Sequence, residues 1–183
     1  MKKKFKPFNA IVPCPVVLLS VKGNDENNNP NIITLSWAAN VCSKPPIVVV
    51  GIRPSRYSYK LVNDAGDFVL NIPAVGMLNA AKFSGTKSGR DYNKFEHLGL
   101  TPKPSEKIDS PMIEECPLNI ECKVTQSMNL GSHDLFVAEV LAVHLDESVL
   151  DSEKRSLDPN KMKLFTYLPI VGEYWSLGKK VQS

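Results

Sequence analysis

The segment P-P-I-V-V-V-G-I-R-P-S-R-Y-S, residues 45–58, carries most of the information about the fold. Its apolar part, 47–52, is a continuous and mostly β-branched run, which predicts a strand buried on both faces. The period then changes, because Ser55 is a suitable N-cap and apolar residues recur at helical spacing from Tyr57 onward. Gly66 is a typical residue to end such a helix. A buried strand that passes directly into a short helix is therefore predicted here.

Further strand patterns lie on both sides of this segment, and most are short and bounded by Pro, Gly or Asn. The pattern at 118–125 alternates, with apolar residues on one face and polar residues on the other. The longest pattern, 135–145, is apolar on both faces, as in a barrel interior or a subunit interface. The predicted strands are 16–21, 31–37, 47–52, 67–72, 118–125, 135–145 and 173–176.

Helical patterns are few, at 55–65, 75–82 and 92–99. Strands and helices do not alternate regularly, which argues against a doubly wound sheet. The prediction is a mainly β fold, a barrel or sandwich with two or three peripheral helices. A length of 183 residues suits a single domain, 1–183.

The composition is that of an ordinary globular protein, with 43% hydrophobic and 22% charged residues. The net charge of +3 is weak, and no basic face is interleaved with aromatic residues, so we expect no nucleic-acid partner. Prolines interrupt the apolar stretch near the start, and no run is long enough to span a membrane, so we expect a cytoplasmic protein. The four cysteines lack the spacings of zinc sites, so no metal is predicted and redox chemistry would need a bound cofactor.

The strongest candidate for binding a phosphate is the turn at 53–58. Amide groups in the first turn of a helix have no partner within the helix and favour anions. Arg53 can add a charge-assisted hydrogen bond, while Ser55 and Ser58 supply hydroxyl donors. A capped surface helix with solvated arginines is the alternative, and by itself this segment fits that alternative better.

Three other places offer polar groups. Thr34 and Ser36 share one face of a strand, so both could point toward one ligand, although a half-exposed strand has the same pattern. Lys87 lies in the glycine-rich loop 84–91, which could cover an anionic group or be a plain surface turn. His133 precedes the longest strand, where it could serve a cofactor or have a structural role.

Six segments, in this order along the chain, together resemble the flavin reductase-like family with its FMN-binding split β-barrel, and specifically its flavoredoxin-type branch. Their order and spacing extend from about Pro15 to Leu145. The segments are N-I-I-T-L-S-W at 31–37, S-K-P-P at 43–46, R-P-S-R-Y-S at 53–58, G-D-F-V-L-N-I-P at 66–73, S-G-T-K-S-G at 84–89 and G-S-H-D-L-F at 131–136.

The resemblance implies a homodimer of split barrels with FMN at or near the interface. It assigns the phosphate and ribityl chain to polar residues of the first strands and the 53–58 turn, with Lys87 near the phosphate. Backbone from Trp37 to Ser43 would line the flavin ring, and His133 would be the catalytic candidate beside it. The implied cofactor-binding residues are Asn31, Thr34, Leu35, Ser36, Trp37, Cys42, Ser43, Arg53, Ser55, Tyr57, Ser58 and Lys87.

Three functions remain open at this point. The first is an FMN-dependent oxidoreductase that takes electrons from NADH or NADPH and passes them to flavin. The second is a flavoredoxin-like FMN carrier that exchanges electrons with redox protein partners. The third is a split barrel without catalytic activity that only binds. No Rossmann fingerprint, P-loop or nucleophile elbow is present in the sequence.

Overall fold

The computed structural model of the chain describes residues 1–24, 29–153 and 155–181. Its strands are β1 (Cys14–Pro15), β2 (Val17–Val21), β3 (Asn31–Leu35), β4 (Ala38–Ser43), β5 (Pro46–Ile52), β6 (Asp67–Ile72), β7 (Pro102–Lys103), β8 (Met112–Ile113), β9 (Leu118–Asn129), β10 (Asp134–Leu145), β11 (Phe165–Leu168) and β12 (Glu173–Ser176). Its α-helices are α1 (Tyr57–Ala65), α2 (Leu78–Thr86), α3 (Lys94–Leu98) and α4 (Pro159–Met162), with 3₁₀ turns at Val75–Met77 and Glu147–Val149. The predicted mainly β class is confirmed.

The main sheet has seven strands in the order β3-β2-β6-β9-β10-β5-β4. Its two edge strands, β3 and β4, are separated in sequence only by Ser36 and Trp37. That connection can reach about 11 Å, whereas a flat sheet of seven strands is about 29 Å wide. The sheet must therefore roll up until its edges meet. We call the meeting point, Ser36 and Trp37 with the adjoining ends of β3 and β4, the seam.

The interior of the barrel is filled by apolar side chains from every part of the main sheet. Leu19, Val50 and Phe136 are at most 1% exposed, and α1 contributes Leu61 and Val62 to the same cluster. Burying one side chain of this size stabilises the fold by about 1.5–3 kcal/mol. This core fixes the register of the strands whose ends form the seam.

A second apolar cluster covers the outer face of β2 and β3. Leu18 and Ile32 point outward from these strands and pack against Ala81 of α2, Phe95 of α3 and Ile113 of β8. Strand β2 is therefore buried on both faces, which agrees with its unbroken apolar sequence. The packing also fixes α2 and α3 against β3, next to the seam.

The alternating pattern at 118–125 predicts one solvent-exposed face, but part of that face is buried in the structure. Asn119 and Glu121, on its polar side, are buried because the segment before β8 folds over them. The Asn119 side chain donates to Asn71 Oδ1 at 2.8 Å, and the Glu121 carboxylate accepts from the backbone N–H of Glu106 and Lys107 at 2.8 and 2.7 Å. These long-range partners replace water, which local periodicity cannot reveal.

The ends of α1 match the sequence only in part. The prediction of Ser55 as N-cap is wrong: Arg56 holds that position and its side chain makes no capping hydrogen bond. Gly66 ends α1 as predicted, in the left-handed conformation at φ 66°. Helix α2 extends to Thr86, into the predicted loop, and α4 adds a helix of four residues to the predicted ones.

The distal half of β10 has an exposed apolar face. Leu141, Val143 and Leu145 alternate along the strand and are 39%, 55% and 38% exposed. A row of this kind is more than the scattered surface leucine of a typical protein. In the described part of the chain, no helix has both the length and the apolar character to cross a bilayer.

Candidate functional site

The seam opens into a cleft with three connected compartments, which we name inner, middle and outer. The inner compartment, about 130 Å³, lies between the start of α1 and the loop after α2. The middle compartment, about 270 Å³, runs along the end of β3 and shares Ile33, Arg56 and Gly85 with it. The outer compartment, about 630 Å³, shares Trp37 and His133 with the middle one.

The inner compartment is polar and positively charged. Arg56 enters it from the turn before α1, and Lys87 and Arg90 come from the loop after α2. Helix α3 contributes Lys94 to the lining. The lining residues with hydroxyl side chains include Ser55, Ser58, Ser84 and Ser88. Among the described residues that line the compartment, none is Asp or Glu. The compartment is therefore suited to an anion.

Lys94 is the most unusual charge in this compartment. The residue is only 2% exposed, and its Nζ donates to Ile32 O at 2.6 Å and Ser84 O at 3.0 Å. Burial, reinforced by the charge of Arg56, lowers the pKa of Lys94 to about 8. A buried ammonium held only by carbonyl oxygens retains an uncompensated positive charge.

Near the inner compartment, two buried polar atoms have no hydrogen-bond partner in the described ranges of the chain. They are Ser84 Oγ and Asn31 Oδ1. The Asn31 amide instead donates to Ser58 Oγ at 2.7 Å, which leaves the Ser58 proton available to a ligand. Buried polar groups are normally satisfied, so these atoms mark places that a ligand or its hydration can complete.

Glycine at position 89 allows the backbone of the loop to approach the compartment closely. A Cβ there would collide with the side chains of Asn31 and Tyr57. At Gly85, a Cβ would stand 3.3 Å from Thr34 Cβ, which is already tight. The glycines of the 84–89 segment therefore serve close packing of backbone around the cleft.

The middle compartment combines hydroxyl groups with guanidinium groups. Thr34 donates its hydroxyl proton to Ala81 O at 2.6 Å, so toward the cleft it can only accept. Ser36, Arg53 and Arg56 line the same space. Tyr167 of β11 also lines it, from a part of the chain more than a hundred residues away.

His133 stands between the middle and outer compartments. Its ring is 6.4 Å from the Trp37 ring, with the planes tilted by 52°, and Nδ1 is 2.9 Å from Ser132 Oγ. Burial, together with the charges of Arg53 and Arg56, lowers the pKa of His133. Its imidazole is therefore neutral at neutral pH, and one ring nitrogen can donate while the other accepts.

The outer compartment is broad and mainly apolar. Trp37 forms its floor, and Gly51 beneath it leaves so little room that a Cβ would lie 3.2 Å from Trp37 Cβ. Val49 and Leu135 line one side, and the N-terminal segment before β1 lines the other. A flat aromatic group fits such a surface better than a charged one does.

The structure brings most of the predicted site residues into this cleft. Cys42 and Ser43 are not among them: they lie exposed at the far end of β4, beyond the irregular pairing between Asn40 and Cys42. Asn31 lines a hollow next to the inner compartment. The predicted residues that line the cleft itself are Thr34, Leu35, Ser36, Trp37, Arg53, Ser55, Tyr57, Ser58, Lys87 and His133.

Sequence reasoning missed Lys94 and Tyr167. Lys94 lies on a short helix whose only local signals are Asn93 as N-cap and Gly99 as C-cap. Tyr167 has no local signal, because the pairing of β11 with β1 is what places it at the cleft.

The whole cleft fits a ligand with an anionic end and a flat aromatic end. Positive charge is confined to the inner and middle compartments, and the outer compartment is apolar. FMN has this division, with a phosphate joined to an isoalloxazine ring by a hydroxylated chain. Among the described residues, no group of three or more His, Cys, Asp or Glu is placed to hold a metal ion.

Comparison with known proteins supports the same interpretation. Residues 9–162 match the flavin reductase like domain. An uncharacterized protein of Archaeoglobus fulgidus is 36% identical over 124 residues, which cover 68% of this chain and 70% of that protein.

Among the solved structures that resemble the full chain are two flavoredoxins. Flavoredoxin of Desulfovibrio vulgaris (Miyazaki F) superposes with a TM-score of 0.92 at 32% identity, covering 100% of this chain and 97% of that one. Flavoredoxin from Methanosarcina acetivorans superposes with a TM-score of 0.87 at 28% identity, covering 100% and 95%. The predicted split-barrel fold is therefore confirmed, and the chain belongs to the flavin reductase-like family.

Proposed function

We propose that this protein is an FMN-binding oxidoreductase that moves electrons through a flavin held at the seam of its barrel, the whole chain acting as one domain. The observation that carries the proposal is the division of the seam cleft into a positively charged inner part, with no carboxylate among its described lining residues, and an apolar outer part beside Trp37. Family membership adds weight to a flavin as the ligand, since the domain that matches is flavin reductase-like.

The inner compartment would hold the phosphate. Arg56, Lys87 and Arg90 offer charge-assisted donors at its rim, while Ser55 and Ser58 offer hydroxyl groups. The uncapped start of α1 adds backbone N–H groups whose partial positive charge favours an anion.

The middle compartment would hold the ribityl chain. Thr34 and Ser36 lie on its wall, with Leu35 between them contributing backbone only, because its side chain belongs to the core. Arg53 lies opposite. A flexible polyol needs several weak polar contacts rather than one strong charge, which is what this compartment provides.

The outer compartment would hold the ring between Trp37 and the N-terminal segment, with His133 at its edge. When bound, the flavin supplies the hydride- and electron-accepting chemistry that these side chains lack. The residues of this chain orient it, exclude water on one side and, at His133, offer a neutral imidazole that can donate or accept one proton.

NADH or NADPH is our proposed electron donor. The outer compartment is open and wide enough to admit a second flat ring, and hydride transfer requires no protein nucleophile. The second candidate is a flavoredoxin-like carrier fed by a redox protein in the cytoplasm, and it is favoured by the similarity over the full chain to the Desulfovibrio vulgaris flavoredoxin.

We also propose a homodimer. The exposed apolar row Leu141, Val143 and Leu145 on β10 is the surface that a second copy would cover. Sedimentation at micromolar concentration should give twice the mass of the chain. The variant Val143→Lys should shift the equilibrium toward monomer, and a monomeric wild type would contradict this part of the proposal.

Anaerobic reduction separates the two candidate functions. The protein loaded with FMN is mixed with NADH or NADPH without oxygen, and the absorbance of oxidised flavin near 450 nm is followed. Bleaching within seconds supports the reductase. Flavin that stays oxidised with both nucleotides but is reduced by dithionite supports the carrier.

A further inference from the structure

We propose that Lys94 is the buried counter-charge of the ligand's phosphate and that it takes up a proton when the phosphate binds. This inference rests on the proposed function, because it takes the inner compartment as the phosphate site. It goes further by assigning a role to a residue beneath the compartment that the family resemblance did not single out.

The hydrogen bonds of Lys94 use two of its three ammonium protons. The ammonium donates them to the carbonyl oxygens of Ile32 and Ser84. The lining of the inner compartment includes Lys94 itself, and within the described part of the chain it offers no carboxylate. A buried ammonium without an anion is costly, and burial lowers its pKa to about 8 for that reason.

Other charges around Lys94 increase this cost. Arg56 faces it from the turn before α1, and Lys87 and Arg90 face the same space from the loop after α2. Tyr57 is the other titratable group on this lining, and strand β3, packed against α3, has no ionisable side chain. On α3 itself, His97 lies outside the compartment, stacked on Phe83 at 4.3 Å.

A phosphate monoester bound in the inner compartment would favour the charged form of Lys94, whereas burial disfavours it. Its second pKa is about 6, so it arrives as a dianion at pH 8. An opposite charge within a few ångströms favours the protonated amine and raises its pKa. With a pKa of about 8 in the free protein, Lys94 is about half deprotonated at pH 8. Binding should then take up about half a proton at pH 8, whereas at pH 7 the roughly 0.1 proton that Lys94 gains is offset by the roughly 0.1 proton that the phosphate loses.

Lys94 also links the parts that form the compartment. Its two hydrogen bonds join the middle of β3 to the last turn of α2, and the loop 87–90 begins directly after that turn. An amine that becomes fully charged holds both carbonyl oxygens more firmly. Phosphate binding would thereby fix the loop that carries Lys87 and Arg90.

The first experiment uses the wild-type protein. Calorimetric titration with FMN at pH 8.0, in two phosphate-free buffers with different ionisation enthalpies, gives the number of protons bound per ligand. Riboflavin, which lacks the phosphate, is titrated in parallel. We expect about 0.5 proton taken up with FMN and none with riboflavin. No uptake with either ligand would overturn the proposal.

The second experiment assigns the proton to Lys94. We expect Lys94→Met to abolish proton uptake and to weaken FMN binding by about 10- to 100-fold, while riboflavin affinity changes by less than about threefold. Lys82→Met is the matched control, because Lys82 is exposed on α2 and does not line the inner compartment. It should behave as wild type.

The outcomes separate this proposal from the proposed function. If the wild type binds neither FMN nor riboflavin, the proposed function fails and this inference fails with it. If FMN binds but Lys94→Met keeps both its affinity and its proton uptake, only this inference fails. If Lys94→Met does not fold, the uptake measured on the wild type decides.

Discussion

Glu121 and Lys94 are both buried charged residues, but they differ in whether groups of the protein compensate the charge. Glu121 has no exposed area, and its carboxylate accepts from the backbone N–H of Glu106 and Lys107 and lies 2.7 Å from His144 Nε2. Burial raises the pKa of Glu121, but these hydrogen bonds outweigh burial and leave it lowered. For Lys94 no group does so, and its pKa falls below its ordinary value.

The difference distinguishes a structural charge from a binding charge. A buried ion whose hydrogen bonds close within the protein stabilises the segment that supplies them, here the backbone before β8. A buried ion beside a cavity with no counter-ion is a cost to the folded state that a ligand can offset. Glu121 is the structural charge in this comparison, and Lys94 is the proposed binding charge.

The largest expected effect is on stability, from Glu121→Gln. An amide nitrogen replaces one carboxylate oxygen and cannot accept, so one backbone N–H or His144 loses its partner. We expect a loss of about 2–3 kcal/mol in the free energy of unfolding, measured by urea denaturation.

Glu114→Gln is the matched control for this comparison. Its carboxylate is exposed and pairs with Lys103 at 3.1 Å, so the loss should be below about 1 kcal/mol. FMN affinity of Glu121→Gln should stay within about threefold of wild type. Equal losses of stability in the two variants would contradict the structural role of the buried Glu121 carboxylate.

The binding half is tested by the double variant Arg53→Ala with Ser55→Ala. Removing a guanidinium of the middle compartment and a hydroxyl of the inner one should weaken FMN binding by about 10- to 100-fold. The readout is a fluorescence titration with FMN. Alanine at Lys2, Lys3 and Lys4, far along the exposed N-terminus, is the control for general loss of positive charge. Equal, negligible effects would remove Arg53 and Ser55 from the proposed flavin site.

The sequence indicated many of the segments that line the cleft. The turn at 53–58, the strand 31–37 and His133 converge at the seam, because they stand at strand ends that the barrel closure brings together. Lys94 could not be predicted with them, since its burial depends on contacts with β3 and α2 that are distant in sequence. Cys42 and Ser43 follow Trp37 in sequence but continue along β4 away from the cleft.

The structural half was less visible in the sequence. The alternation at 118–125 gives Glu121 the position of a surface residue. Its burial comes from the 104–111 segment, whose prolines and polar residues read as a plain loop. Ser55 shows the reverse error: it has the preferred N-cap chemistry, yet the chain enters α1 one residue later, at Arg56.

His133→Gln tests the role of the histidine between the middle and outer compartments. The variant keeps a neutral hydrogen-bonding group, so FMN affinity should change by less than about threefold. The rate of flavin reduction should fall by about tenfold, because a positioned imidazole no longer moves the proton. Stopped-flow absorbance with NADH and with a chemical donor measures this rate. Unchanged rates with both donors would assign His133 a structural role only.

The smallest expected effect is the pH dependence of the Glu121 contribution. Since the folded-state pKa of Glu121 is lowered, its stabilisation is fully present above the ordinary value of 4.5 and is lost as pH falls through the folded-state value. The difference in unfolding free energy between wild type and Glu121→Gln should therefore narrow as pH falls below about 4.5. A difference that does not change down to pH 3 would contradict the ionised, hydrogen-bonded state.

The most direct test of the flavin site is a titration of the purified protein, freed of bound flavin, with FMN. Saturation at one FMN per chain, with quenched flavin fluorescence from the ring lying against Trp37, is the expected result. Trp37→Leu should bind FMN with less quenching. A spectrum and fluorescence equal to those of free FMN at every protein concentration would contradict the central claim that the seam holds a flavin.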